Sequence, residues 1–387
     1  MRFRIVLAAT FLAVMAFGFA SISPGDHTRG ATPPVQGPAA SGGAGILAGA
    51  VSSPGGIARH AVGDFNADGL DELLVDLGTE GIWWYDRGAW NRISSANPEG
   101  MVLAEFDGDA GAEVLVDGGA SGFNVFNYLS FLPYNAINPE TMAAADVDSD
   151  GLDEPIVDFG AIGLWQWNSS WSRISAVNPD YVIAAETNGD ATDEVVADFG
   201  SVGLWKRQSA AWTQLSGVNA EFLTSGNHDI YAGADLIVDF GSLGVWLWSA
   251  GVGNWVILSG ANPEHLITGD VKGITQDEIV GDFGTIGLWL WSTGSWTQLS
   301  GANAEDMIIA DPDGDAKGEI VADFGALGMW LWDTNVWTQL SGVNPETLLA
   351  GDFDGDAQDE ILGDFGALGL WRHDAGVWTL ISGVNLD

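Results

Sequence analysis

The chain contains no cysteine in its 387 residues. That excludes disulfide staples, zinc–thiolate centres and thiol catalysis. Basic residues are scarce. Twelve lysines and arginines stand against 53 aspartates and glutamates, for a formal net charge of −41. Such a surface repels a phosphate backbone and attracts cations, so no nucleic acid is expected as a partner. The five histidines, His27, His60, His228, His265 and His373, share no motif, and there is no HExxH, GxSxG or phosphate-binding glycine loop. No segment between turn residues has room for an amphipathic helix of ordinary length.

What is present begins with a leader. Arg2 and Arg4 precede an apolar run from Ile5 to Ala20, with Gly18 and Ala20 as the small residues a signal peptidase requires. Residues 1–20 therefore read as a secretory signal peptide. The run is shorter than the ~20 residues of a bilayer span, so cleavage is expected rather than an uncleaved anchor, with no membrane insertion afterwards. The expected location is secreted or periplasmic, in a bacterial source. Residues 21–56 form a linker rich in proline, glycine, serine and alanine, in which Ile46 to Val51 is a candidate strand.

The remainder, residues 57–387, repeats. The segment opened by Asp352 reads DFDGDAQDEILGDFGALGLWRHDAGVWTLISGVN, and that opened by Asp311 reads DPDGDAKGEIVADFGALGMWLWDTNVWTQLSGVN. The frame recurs at Asp64, Glu105, Asp146, Glu186, Asn227 and Asp270, with spacings of 40 to 43 residues. Each unit holds four short apolar runs bounded by turn residues. In the last unit they are Thr347–Gly351, Glu360–Phe365, Leu368–Arg372 and Val377–Ser382. Four strands in about forty residues match a propeller blade, whose faces are buried only by stacking against neighbours. The expected fold is all-β, a β-propeller of eight four-stranded blades, with a seven-bladed ring as the alternative.

The loop between the first two strands carries oxygen side chains at alternate positions. In Asp64-Phe65-Asn66-Ala67-Asp68-Gly69-Leu70-Asp71-Glu72, positions 1, 3 and 5 converge, position 7 offers a carbonyl, and the acid at position 9 closes the shell. Hard oxygen ligands in this number suit Ca2+, with Mg2+ second. The expected sites are six. They are Asp64, Asn66, Asp68, Leu70 and Glu72; Glu105, Asp107, Asp109, Gly111 and Glu113; Asp146, Asp148, Asp150, Leu152 and Glu154; Glu186, Asn188, Asp190, Thr192 and Glu194; Asp311, Asp313, Asp315, Lys317 and Glu319; and Asp352, Asp354, Asp356, Gln358 and Glu360. The fifth unit is degraded (Asn227, Asp229, Tyr231, Asp235), and the sixth has Lys272 and Ile274 at ligand positions, so no metal is expected there.

The loops DFDGDAQDEIL and DSDGLDEPIV resemble the FG-GAP and VCBS repeats of integrin-α-type propellers. The resemblance covers all eight units. It implies a calcium loop between the first and second strands of a blade, and adhesion as a function. The chain departs from that family in having no GAP tripeptide, and its Phe365-Gly366 pair follows the metal loop rather than preceding the first strand.

All 19 tryptophans fall within the repeats. Trp289 and Trp291 read as packing between blades. The fourth-strand set, Trp90, Trp171, Trp212, Trp255, Trp296, Trp337 and Trp378, reads either as packing or as a ligand-binding platform for sugar stacking. An aspartate ends every second strand (Asp76, Asp117, Asp158, Asp198, Asp239, Asp282, Asp323, Asp364) and is expected to accept turn amides. Asparagines such as Asn97 and Asn138 are expected in Asx turns between blades. The repeat breaks at Lys206-Arg207 and Arg372-His373. The functional expectation is a binding or adhesion module for a glycan or cell-surface protein. The alternatives are a polysaccharide-directed enzyme gathering those four residues, or a structural surface or matrix protein.

Overall fold

The computed structural model describes residues 58–128 and 130–386. The expected signal peptide, linker and candidate strand at 46–51 lie outside the described residues.

Among the described residues, thirty-two strands form eight antiparallel four-stranded sheets, each built from consecutive strands. Blade 1 comprises His60–Gly63, Glu72–Asp76, Ile82–Asp86 and Ala89–Ser94, and blade 8 comprises Thr347–Gly351, Glu360–Asp364, Leu370–Asp374 and Val377–Ser382. Two strands of blade 8 match the sequence reading at both ends. The third starts two residues late, because Gly366–Leu368 is a turn of 3-10 helix and Gly369, at φ +83°, reverses the chain before the strand begins.

The ring closes with eight blades, not seven. First strands of consecutive blades are neighbours, including those of blades 8 and 1. At that joint Asp71 N–H donates to the Asp352 carbonyl (2.8 Å), Asp352 N–H donates to Asp71 Oδ2 (3.0 Å), and Trp90 Nε1–H donates to the Ile381 carbonyl (2.9 Å).

Each joint has its own apolar core. Leu73, Val75, Leu349 and Leu362 meet between blades 8 and 1, and Ile267, Val280, Ile309 and Ile320 between blades 6 and 7. The second strand of every blade is buried along its whole length, because it is covered on both sheet faces. That is why runs such as Leu73-Leu74-Val75 are continuously apolar rather than alternating. Each fully buried Leu, Ile or Val contributes about 1.5–3 kcal/mol by removal from water. Fourth strands, at the rim, as in blades 1, 4, 6 and 8, have exposed residues at half of their positions and half-buried ones at the rest.

The antiparallel order gives the ring two different ends. Loops between first and second strands, and the turns between third and fourth, lie at one end, here the loop end. The 3-10 turns between second and third strands, with the connections from blade to blade, lie at the other, the turn end.

Candidate metal centres at the loop end

In blades 1, 2, 3 and 7, three of the expected ligands come together. Carboxylate oxygens of Asp64, Asp68 and Glu72 lie within 4.8 Å of one another, as do those of Asp107, Asp109 and Glu113, and of Asp146, Asp148 and Glu154. In blade 7, Asp311, Asp313 and Asp315 group in the same way. The loops are tightened from inside. Asp64 accepts the Asp68 and Gly69 amides (3.1 and 2.9 Å), and Asp352 accepts those of Gly355 and Ala357 (2.7 and 3.0 Å).

The closing acid at position 9 is buried at the start of the second strand and, in every blade but the seventh, accepts the amide of position 2. Phe65 donates to Glu72 (2.9 Å), Phe106 to Glu113 (2.7 Å) and Phe353 to Glu360 (2.8 Å). Burial above all, with neighbouring carboxylates adding to it and this one amide offsetting only part, pushes Glu72 up to about 8 and Glu113, Glu154 and Glu360 up to about 7. Each of these acids is crowded by other carboxylates, and an all-oxygen donor set of this kind fits a hard divalent cation. Asn66 directs its Nδ2 at Glu72 Oε1 (2.6 Å). To serve as a ligand its amide must present the oxygen instead.

Of the two loops set apart in sequence, that of blade 6 is tightened from position 1 in the same way as the expected loop of blade 4, where Glu186 accepts the Asn188, Gly189 and Asp190 amides. In blade 6, Asp270 Oδ1 accepts the amides of Lys272 (3.2 Å), Gly273 (2.6 Å) and Ile274 (3.1 Å). In blade 5, Asn227 Nδ2 donates to the Thr275 carbonyl (3.0 Å).

No protein-family model and no curated protein sequence matches the chain. Solved structures do. A lectin of Agrocybe aegerita that recognises non-reducing terminal N-acetylglucosamine is 14% identical, with a TM-score of 0.51, covering 84% of this chain and 92% of the lectin. BBS1N, solved in complex with ARL6DN, is 10% identical, with a TM-score of 0.50, covering 74% of this chain and 93% of its own. At these identities the likeness concerns the propeller fold alone.

Two sets of residues at the loop end escape the sequence pattern. The first stands at or just past the end of the third strand, twenty-two residues after each loop begins: Asp86, Asn127, Asn168, Gln208, Ser249, Ser292, Asp333 and Asp374. Every blade places an oxygen-bearing side chain there, beside the loop. Asn127 donates to Asp107 Oδ2 (2.6 Å), Asn168 to Asp148 Oδ2 and Glu154 Oε1 (2.9 and 3.1 Å), and Ser292 to Glu278 Oε1 (2.9 Å). Asp333 groups with Asp313 and Glu319. The signal was the fixed register, hidden because the residue type varies.

The second set is loop position 8. Asp71, Asp153, Asp193, Asp277 and Asp359 each latch onto position 1 of the preceding blade, their carboxylates accepting the amides of Asp352, Glu105, Asp146, Asn227 and Asp311 at 2.7–3.1 Å. At the other three joints the residue is Ala112, Ala234 or Gly318, and only the backbone bond remains.

The fourth-strand tryptophans are drawn into the joints. Trp212, Trp296 and Trp378 donate Nε1–H to carbonyls of the preceding blade, Ile174, Leu258 and Leu340 (2.9–3.0 Å), and sit edge-on to Phe199, Phe283 and Phe365. Trp90, Trp255 and Trp337 make the same bond. Trp171 packs on Phe123 and Phe159, and its Nε1 has no partner. All seven are half-buried, and the structure does not bring them together at one site.

Nor does it gather the repeat-breaking residues. Lys206 lies over the Trp248 ring (5.1 Å) and near Glu194 (3.9 Å), and Arg207 donates to Gln166 (3.3 Å). In blade 8, Arg372 faces Glu360 and Asp374 (4.0 and 3.6 Å) and the His373 ring packs at a tilt against Trp378.

Turn-end aspartates accept turn amides, as the sequence suggested. Asp76, Asp239 and Asp323 each take the amide of the glycine two residues on at 2.8–2.9 Å. Asn138, Asn178, Asn344 and Asn385 reach Glu99, Glu140, Glu305 and Glu346 at the start of their own blade (3.0–3.1 Å).

Proposed function

We propose that the chain is a secreted, calcium-stabilised β-propeller that acts as a binding module for a glycan or a cell-surface protein. The observation that carries the calcium reading is the convergence, in register with the blade repeat, of three carboxylates, which in blades 1, 2 and 3 include the buried closing acid. The likeness of the loops to FG-GAP and VCBS repeats supports the same metal. With no disulfide available, ions bridging the first and second strands substitute for covalent staples. The partner reading rests on the presentation of similar surfaces around a ring, which suits multivalent recognition. The fold shared with the Agrocybe aegerita lectin supports a glycan.

Two measurements test the proposal. Calorimetric titration of chelator-treated mature protein with calcium is expected to show several bound ions and a raised melting temperature. Calcium-loaded protein applied to a glycan array is expected to bind a defined sugar class and to release it in chelator. No ion bound sinks the metal reading, and a silent array sinks the glycan partner while leaving a protein partner to be sought.

A further inference from the structure

Blade 7 departs from its neighbours at two loop positions at once. Position 2 is Pro312, which has no N–H to give. In other blades that N–H satisfies the closing acid, as Val147 does for Glu154 (3.1 Å) and Phe353 for Glu360 (2.8 Å). Glu319 lacks this donor, and its Oε2 is buried with no hydrogen-bond partner. Position 7 is Lys317, where the equivalent residues of blades 1 and 8 are Leu70 and Gln358. Its side chain turns into the loop. Nζ lies 2.7 Å from Asp315 Oδ2, 2.9 Å from Glu319 Oε1 and 3.1 Å from Asp333 Oδ1, with the side chain 16% exposed. Glu319 and Asp333 also group with Asp313, so the ammonium bonds carboxylates that a metal in this blade would need. An ammonium and a divalent ion cannot share oxygens at such distances without strong mutual repulsion.

We propose that Lys317 is a built-in cation that replaces calcium in blade 7, so that this loop is closed without metal while blades 2 and 3, whose third strands offer Asn127 and Asn168, depend on it. The proposal rests on the calcium reading above. On this proposal blade 7 departs from the sequence expectation: Lys317 contributes its ammonium, and the expected number of ions is five rather than six.

The test is calcium stoichiometry, measured calorimetrically on the chelator-treated mature protein and three variants. Lys317→Gln introduces the residue that blade 8 carries at this position and is expected to bind one more ion than the natural chain. Lys317→Gln/Asp313→Asn is expected to lose that extra ion. Asp313→Asn alone is expected to leave the count unchanged. Equal counts for the natural chain and Lys317→Gln overturn the proposal, as does loss of an ion in Asp313→Asn alone. If Lys317→Gln does not fold, the single Asp313→Asn variant still decides, because an unchanged count supports the proposal and a lost ion overturns it. If no protein binds calcium, blades 2 and 3 have failed as well, and the calcium reading falls together with this one.

Discussion

The two ends of the ring use the same carboxylate chemistry to opposite effect. At the turn end, Asp282 accepts the Gly284 and Ala304 amides (both 3.2 Å), and Asp364 accepts those of Gly366 and Leu386 (3.2 and 2.9 Å). Each of these two acids has two amide donors and one acidic neighbour, Glu264 or Glu346. At the loop end, Glu154 has the Val147 amide and the Asn168 side chain, but faces Asp146, Asp148 and Asp150. A buried acid alone therefore does not mark a metal site. What separates these examples is the number of carboxylates crowding each buried acid, three around Glu154 against one around Asp282 and one around Asp364.

The largest effect expected from this contrast is calcium's own. At a hundred times its dissociation constant, each occupied site adds about 2.7 kcal/mol to folding stability. Several sites together are expected to raise the melting temperature far beyond any single substitution described below. The effect depends on pH in a defined direction. Burial raises Glu72 to about 8 and Glu113, Glu154 and Glu360 to about 7, so between the ordinary carboxylate range and those values the folded metal-free chain holds more protons than the unfolded one. This contribution to stability is fully present below the ordinary range and is lost as pH rises through about 7 to 8. The metal-free protein is expected to melt higher at pH ~5 than at pH ~8. Calcium needs ionised ligands, so its affinity is expected to rise over the same interval. Melting curves with and without chelator at both pH values check the crossing, and parallel curves would break the contrast.

Gly287→Ala probes the turn end through its backbone. Gly287 has φ 91° and ψ −169°, and a Cβ there would sit 2.3 Å from the Ser300 carbonyl oxygen. That conformation is essentially confined to glycine, at a cost of about 1–3 kcal/mol for other residues. The clash with fixed backbone adds about 1–3 kcal/mol. Denaturant unfolding is expected to show this loss equally in calcium and in chelator.

A pair of substitutions separates the ends by sign. Asp282→Ala strips the acceptor from two amides and is expected to cost about 1–3 kcal/mol for each, whether or not metal is present. Glu154→Gln is expected to destabilise only the calcium-loaded protein. Without metal near pH 8 it removes a buried charge, and stability is expected to hold or rise. Matching losses for Glu154→Gln in both conditions would make the loop end as self-sufficient as the turn end.

The smallest effect concerns the third-strand residue. Asn168→Ala is expected to weaken calcium binding in blade 3 by roughly fivefold, about 1 kcal/mol for one polar partner. Unchanged affinity in a calorimetric titration would remove that position from the shell.

Much of this architecture was legible in the chain. Register and turn residues located the blades, and alternate oxygens located the loops, because both depend on neighbours a few residues apart. The role of the fourth-strand tryptophans was not legible. Trp296 reaches a carbonyl thirty-eight residues earlier, and both packing and sugar stacking call for the same aromatic residue. The position 8 aspartates were hidden beside the more obvious position 9 acids, since their partners belong to the previous blade; for Asp71 the partner is 281 residues away.

The sequence by itself determined the repeat, the four strands per unit, the acidic loops and the two units where the loop decays, since all of these rest on local spacing and residue type. Only the tertiary structure decided that eight blades close on themselves, that Pro312 and Lys317 bear on one carboxylate, and that a third-strand residue stands beside each loop. Those outcomes depend on which side chains a sheet brings within 3 Å of one another, and spacing along the chain does not fix that distance.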